Sequence, residues 1–397
     1  MAAPFSLTSA TNLFKINYYK RSDNMYNSEN VIAGRTINKN DFTGKSRFIA
    51  TPMSFSGGVG SGSLPTANVG NYGDALITAK KVYATCEVDR ESIKASMDNE
   101  GAFVKATQET VKKTVESYMR NKSRILFGDG TGTVGTIDAN ATGTAAAPVV
   151  IISEATWKAA NFEEKDYLNV DSGTDLFEVI SVVESTRTVT LARIGGAVDL
   201  TATGAGSVLY MQGSKDNDPM GLKGIVQATS GTLYNIAYQR RWQSVVSDAN
   251  GAGITSDRMS SVMLDVERKS GKIPNLIVTS YVQFRKFISQ LEDQKKYNIE
   301  PRAKELVGKI SFSGIEFMSV KGPVPVVVDR FCEDNVMYFL NDNYIECHHR
   351  PGFGWFDDDG TVFLRKSSSD AYEARYGGYY QNFIIPTYQG CLINLAV

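Results

Sequence analysis

Between Asp98 and Gly132 the chain reads DNEGAFVKATQETVKKTVESYMRNKSRILFGDGTG, and no other stretch leaves the fold so few options. Phe103, Val104, Val111, Val115, Tyr118, Met119 and Leu126 recur mostly three or four residues apart, one apolar stripe on a long amphipathic helix. Lys105, Glu109, Lys112, Lys113, Glu116 and Arg120 fill the other face. Glu109 with Lys113, and Glu116 with Arg120, are i,i+4 pairs with the acid first, the better orientation. Asp98 or Asn99 can cap the start, and a left-handed Gly128 can stop the end. About 28 residues at ~1.5 Å each give a rod of roughly 42 Å. A typical helix has about 11–12 residues, so such a rod offers more surface than a small core can use.

The chain before the rod supplies little core of its own. Residues 1–47 are polar with scattered aromatics and read as an extended arm. Residues 48–56 (FIATPMSFS) read as a strand whose proline favours an edge, 57–74 as a glycine-rich tip, and 75–86 (ALITAKKVYATC) as the returning strand. Together they predict a long hairpin. Glu87–Met97 predicts a short helix capped by Asp89.

After the rod the pattern changes period. Pro148–Ser153, Tyr167–Val170, Leu176–Val183, Thr188–Arg193 and Val208–Gln212 predict strands between Gly, Ser, Thr and Asp turns, an all-β insertion over 138–213. Thr255 or Ser256 caps a helix with the stripe Met259, Val262, Met263 and Val266, ended by Gly271. Residues 273–280 (IPNLIVTS) form a buried-type strand, and Tyr281–Leu291 a helix with Phe284, Phe287, Ile288 and Leu291 inward. A charged loop follows at 292–309. Strands are then expected at Ile310–Ser319, Val324–Asp329, Val336–Asn341, Thr361–Lys366, Ala371–Gly377 and Leu392–Val397. The second half is α+β, helices on a mixed sheet.

Composition narrows the function. The formal charge of −1 over 397 residues excludes a globally basic nucleic-acid binder. The average hides an uneven distribution: residues 1–50 carry a net +4 and residues 138–213 a net −6. Cys86, Cys332, Cys347 and Cys391 form no CxxC pair and read as reduced thiols. The N-terminus lacks the basic start and apolar run of a signal peptide, and no apolar run approaches ~18 residues. A soluble protein made in the cytoplasm is expected.

Chemical motifs are sparse. Gly130, Gly132 and Gly135 satisfy GxGxxG, but they follow a helix C-terminus and open no helix, so the dipole has the wrong sign for phosphate. His348 and His349 are the only histidines. Adjacent strand residues point to opposite faces, which argues against shared metal ligation and for surface or interface positions. The run Asp357–Asp358–Asp359 lacks the alternating ligands of a calcium loop. GxSxG, HExxH and GxxxxGK[ST] do not occur. No catalytic, cofactor-binding or metal residue is assigned, and no enzyme is expected.

The order of arm, glycine-tipped hairpin, VDRESI at 88–93, a long helix ending ILFGDGTGTVGTI at 125–137 and a terminal α+β region resembles the major capsid proteins of tailed double-stranded DNA bacteriophages, the HK97-fold family. PMGLKGI at 219–225, NLIVTSYVQFRKF at 275–287, VPVVVDRF and VMYFLND within 324–342, and GYYQNFIIPTYQGCLINL at 378–395 extend the likeness. The resemblance implies an arm at 1–47 and an extended hairpin loop at 48–87. It implies a peripheral domain with the spine helix at 88–137 and 214–250, joined in part by 310–330 and 355–385. It implies the inserted β domain at 138–213, and an axial domain from 251–309, 331–354 and 386–397. It further implies self-assembly of hexamers and pentamers into an icosahedral virion shell, built in the host bacterial cytoplasm, with no cofactor. Scaffolding, portal and decoration proteins would be further partners, and packaged DNA would be touched weakly and without sequence preference. In some relatives a hairpin lysine crosslinks subunits; Lys80 and Lys81 lie on the expected hairpin, without a motif that transfers the role. Two alternatives stand beside this reading: an encapsulin-type compartment with the same fold, and a β-rich carbohydrate-binding protein or enzyme that uses the insertion as its module.

Overall fold

The expected rod is a single helix, Glu100–Leu126, of 27 residues. The computed structural model describes residues 31–54, 71–89, 100–171, 173–293, 315–352, 354–356, 360–367 and 369–397. Outside the described residues lie most of the arm and hairpin tip, residues 90–99 of the expected short helix, most of the 292–309 loop and Asp357–Asp359. The side chains of Phe103, Val104, Glu109 and Val111 lie outside them too.

The helix packs on a mixed six-stranded sheet. Its spine is Ala371–Ile384, which pairs antiparallel with Lys80–Asp89, Ile345–His349, Gly354–Trp355 and Leu364–Arg365. Ile37–Lys39 adds a parallel edge. Val115, Tyr118, Met119 and Ile125 of the helix meet Val82, Cys86, Trp355, Ala374, Tyr376 and Tyr380 of the sheet. Tyr118 stands edge-on to Tyr376 at 5.2 Å, a favourable aromatic geometry.

A second six-stranded sheet runs Val245–Asp248, Gly390–Ile393, Met337–Leu340, Leu276–Thr279, Gly322–Val328, Ile315–Ser319. Helix Ser256–Ser270 lies on it through Met259, Val262 and Met263, and helix Tyr281–Asp293 through Phe287. The expected caps are present: Thr255 Oγ1 accepts from the Arg258 N–H at 3.3 Å, and Gly271 ends the helix at φ 74°. Ala371–Ile384 leaves the first sheet and, through the Pro386–Tyr388 turn, returns as Gly390–Ile393 in the second. Between the sheets lies a core holding Phe127, Leu222, Trp242, Leu276, Tyr338 and Phe383.

The insertion is a seven-stranded sheet ordered Thr133–Thr136, Val208–Met211, Tyr167–Val170, Asp175–Val183, Thr188–Gly195, Ala147–Ile151, Thr142–Thr144. It closes on itself through the Ile137–Ile152 bridge, with Asp138 N donating to Ile151 O and Ser153 N to Thr136 O, both near 2.9 Å. Inside are Val134, Phe162, Leu168, Phe177, Val189, Leu191 and Leu209. The expected strands are all present, and the unit begins slightly before residue 138.

Several expectations are corrected. The return strand is not continuous: Asn71–Thr78 pairs with Ser46–Ser54, and after Ala79 the chain changes partner, as Lys80–Asp89 joins Ala371–Ile384. Buried parity shifts with it, from Ala75 and Ile77 to Val82 and Cys86, because the two stretches bury against different cores. Lys80 and Lys81 thus sit beyond the hairpin, and Glu87–Asp89 is strand instead of helix. Ile315–Ser319 and Gly322–Val328 pair in the second sheet, and Ile345–His349 pairs in the helix-bearing sheet. Gly128 is not left-handed. Phe127 N and Gly128 N close the helix with i→i+3 bonds to Arg124 O and Ile125 O, and positive φ falls at Gly130 and Gly132. The GxGxxG run is a turn leading into Thr133–Thr136: Asp129 Oδ1 accepts from Thr131 N at 2.9 Å, and no helix follows.

The returning chain crosses the end of the helix at Gly221. A Cβ there would lie 2.3 Å from Ile125 O, 2.6 Å from Leu126 O and 2.7 Å from Gly128 O. We expect Gly221→Ala to lower stability by about 1–3 kcal/mol or more, since three backbone oxygens cannot all yield. Thermal unfolding followed by near-ultraviolet circular dichroism checks this, with Gly206→Ala as the reference; no atom lies within 4 Å of a Cβ there, though its φ of +80° carries a small cost of its own.

Candidate assembly site

The described base of the hairpin is a two-stranded ribbon, Ser46–Ser54 against Asn71–Thr78. Alternation gives it two faces. Thr51, Met53, Ala75 and Ile77 point into the subunit and are buried. Phe48, Pro52 and Tyr72 point away; Phe48 is 66% and Tyr72 59% exposed, and Pro52 lies opposite Tyr72. The ribbon is held from behind. Leu76 N donates to Tyr234 O at 2.8 Å, and the Tyr234 hydroxyl donates to Asn382 O at 2.8 Å. An aromatic face on a firmly backed ribbon suits contact with a surface outside the chain.

The spine helix is gripped near its C-terminal end by the insertion. Arg120, expected to pair with Glu116, reaches Glu163 and Asp166 instead. Glu116 takes Lys112 at 3.6 Å. One turn on, buried Arg124 pairs with Asp218 at 2.9 Å and donates to Ser214 Oγ at 3.3 Å. The polar face of the helix is therefore an internal joint at this end, while Lys112 and Lys113 remain exposed.

The loop that supplies Glu163 and Asp166 also reaches the axial side. Lys158 Nζ stands 3.5 Å from Glu333 Oε1, and Lys223 Nζ is also at 3.5 Å. The Tyr338 hydroxyl donates to Glu333 Oε2 at 2.8 Å, and Gln227 Nε2 donates to the same hydroxyl oxygen at 2.6 Å. Burial opposes the charge of Glu333, but the two lysines and Tyr338 outweigh it and hold the carboxyl below its ordinary range. One loop thus ties helix to axial sheet.

Both histidines are buried, against expectation, because the arm segment Ile37–Lys39 covers their strand. His348 Nδ1 lies 2.7 Å from Asp41 Oδ1 and its Nε2 3.0 Å from Glu346 Oε2. His349 Nε2 faces Asn38 Oδ1 at 3.2 Å; burial, then nearby Lys122 and His348, push its pKa down to about 3, so it is neutral. Lys80 Nζ donates to Asp216 O at 2.9 Å, and Lys81 Nζ lies 5.7 Å from the Tyr379 ring centroid. Cys86, Cys332, Cys347 and Cys391 are free and buried. Among the described residues no group of three or more His, Cys, Asp or Glu is placed to hold a metal ion. Sequence reasoning missed the roles of Arg120, Arg124, Lys158 and Glu333: each was one charge among many, and only the fold brings them together.

The Glu333 joint gives a pH-dependent expectation. A folded carboxyl held below its unfolded value contributes stability above that value and loses it as pH falls through the folded one. Glu333→Gln should be less stable than the parent at pH 7, and the gap should narrow below about pH 4.5. Urea midpoints across pH check this.

No family model matches the sequence, and no curated protein does. Among solved structures, the chain is similar to the capsid asymmetric unit of cyanophage A-1(L), at 13% identity and TM-score 0.52, over 94% of this chain and 93% of that one. An encapsulin complex from Synechococcus elongatus aligns at 8% identity and TM-score 0.48, over 91% and 85%. The capsid of an empty GTA particle aligns at 9% identity and TM-score 0.42, over 92% of this chain and 96% of that one. The chain thus has an HK97-like α+β fold, the class expected from its sequence.

Proposed function

We propose that the chain is a shell-forming subunit, the major capsid protein of a tailed double-stranded DNA phage, which assembles with itself as hexamers and pentamers into an icosahedral virion shell. The observation that carries this reading is the aromatic ribbon face, Phe48 and Tyr72, held outward on a capsid-like fold. Burying a side chain such as Phe48 on a neighbouring copy contributes about 1.5–3 kcal/mol. Repeated at every contact of a closed shell, that burial adds to the drive for assembly.

On this reading the chain divides into arm, hairpin, a peripheral unit around the spine helix, a barrel and an axial unit around the second sheet. Its task is fitting copies together, not catalysis. The acidic insertion, net −6 over 138–213, faces outward. The basic arm, net +4 over residues 1–50, faces packaged DNA through weak contacts without sequence preference. Scaffolding, portal and decoration proteins are further partners, and assembly takes place in the host cytoplasm.

Negative-stain microscopy of the expressed chain tests the reading: closed shells or capsomer rings are expected, and isolated monomers would overturn it. DNA with a portal distinguishes a phage shell from an encapsulin-type compartment, which would hold a cargo protein. For the ribbon, the double variant Phe48→Asp, Tyr72→Asp should keep its far-ultraviolet circular dichroism and lose at least tenfold in shell yield. Shells at the parental yield would remove the ribbon from the assembly contact.

A further inference from the structure

The turn at 239–242 presents two arginines on a rigid support. Trp242 N donates to Gln239 O at 2.7 Å, and the indole is fully buried, its Nε1 donating to Leu233 O at 3.1 Å. Gln243 Nε2 donates to Thr229 O at 2.9 Å, and the Thr387 hydroxyl donates to Arg241 O. With Trp242 pinned inward, its neighbours Arg240 and Arg241 are left exposed.

Lys269, near the end of helix Ser256–Ser270, packs against the same segment. Its Nζ donates to Ser244 O at 3.1 Å. Burial, and then the Arg240 guanidinium, push the Lys269 ammonium below its ordinary value, so two cations act on each other here. Arg241 lies near Tyr388, whose ring is stacked on Tyr344 at a centroid distance of 3.7 Å. Among the described residues no carboxylate pairs with Arg240, Arg241 or Lys269. The acids of the adjoining segments are engaged elsewhere: Asp265 with Arg268, Glu267 with Lys321 and Asp342 with Arg35. A lysine in the last turn complements the helix dipole, which accounts for Lys269 but not for the arginine turn packed against it.

Like charges gathered without a counterion are unfavourable, and an anion offsets that cost. We propose that this corner is a docking platform for the phosphate backbone of duplex DNA, with Arg240 and Arg241 as the phosphate contacts and Lys269 behind them. The platform rests on the shell reading above, which supplies the DNA. The arm is less available for this role than its net charge suggests, because Arg35, Lys39 and Arg47 are paired with Asp342, Glu346 and Asp41. The acidic barrel of a second copy is a poorer partner than DNA, since many of its acids are already occupied: Glu154 by Arg187, Glu163 and Asp166 by Arg120, and Glu178 by Lys165. Contacts to phosphate carry no sequence information, so no base preference follows.

Fluorescence anisotropy of a short labelled duplex with the full-length chain, kept below its assembly concentration, tests the platform across a salt series. Each phosphate contact contributes about −0.9 to the slope of log affinity against log salt, so Arg240→Gln, Arg241→Gln should make the slope shallower by about 2 with an unchanged far-ultraviolet spectrum. Arg240→Lys, Arg241→Lys should keep the parental slope, since phosphate contact here needs the charge and not the guanidinium fork. Lys112→Gln, Lys113→Gln removes the same charge from the spine helix and should leave the slope near the parental value. If the double glutamine variant does not fold, either single one should make the slope shallower by about 1. No DNA binding by the parent, equal slopes in the parent and the arginine-to-glutamine variants, or an equal loss in the helix-lysine variant overturns the platform. Loss of capsomers with DNA binding intact would assign the cluster to a second copy and overturns it too. Negative-stain microscopy of the same preparations separates the two readings. Parental shells with an unchanged slope in the variant strike only the platform, whereas arginine-dependent binding by a chain that never assembles supports the platform and strikes the shell reading.

Discussion

The end of the spine helix is the constraint on which the remaining architecture rests. Helix C-termini carry carbonyls without intrahelical partners and a partial negative charge. Here that end is buried, and the chain returning from the insertion is laid directly across it at Gly221. Met220 N donates to Gln381 Oε1 at 3.0 Å, and Asn382 Nδ2 donates to Met220 O at 2.9 Å, so the long strand fixes the crossing. Gly224 N reaches Gly128 O at 3.3 Å. Helix, strand and return segment meet within a few residues, and the core around Phe127 and Phe383 fills in behind them.

Around that crossing the subunit spends buried charge, which is seldom the cheapest way to gain stability. Replacing a buried pair with apolar groups is often neutral or better, whereas removing one partner costs about 3–5 kcal/mol. Arg124–Asp218 and Lys158–Glu333 are thus costly to break: a different placement of barrel, helix and second sheet would leave their charges unpaired. An apolar interface would tolerate sliding.

Much of this was legible in the residues. The rod, the barrel strands and the Thr255 and Gly271 caps follow from period and cap chemistry, which act over a few positions. The GxGxxG run could be read as a turn because its context was wrong for phosphate. What local pattern could not decide was partnership. Arg120 has Glu116 at the right helical spacing, yet two acids more than forty positions away take it. Strand Ile345–His349 could have joined either sheet. The change of face between Ile77 and Val82 was written in the sequence, but its meaning depends on two different cores. The histidines read as surface or interface residues because the segment covering them, Ile37–Lys39, shows no pattern of its own.

The barrel has its two ends in contact: a Cβ on Gly132 would stand 2.3 Å from Ser214 O, where the chain enters and leaves. Two strands that part and rejoin at one point could be bridged by a very short link, so the barrel is topologically a cassette. Electrically it is not one. Lifting it out would strip Arg120 of both its carboxylates and Glu333 of Lys158, leaving charge stranded in a dry joint. The barrel is therefore easy to excise by the path of the chain and costly to excise by charge.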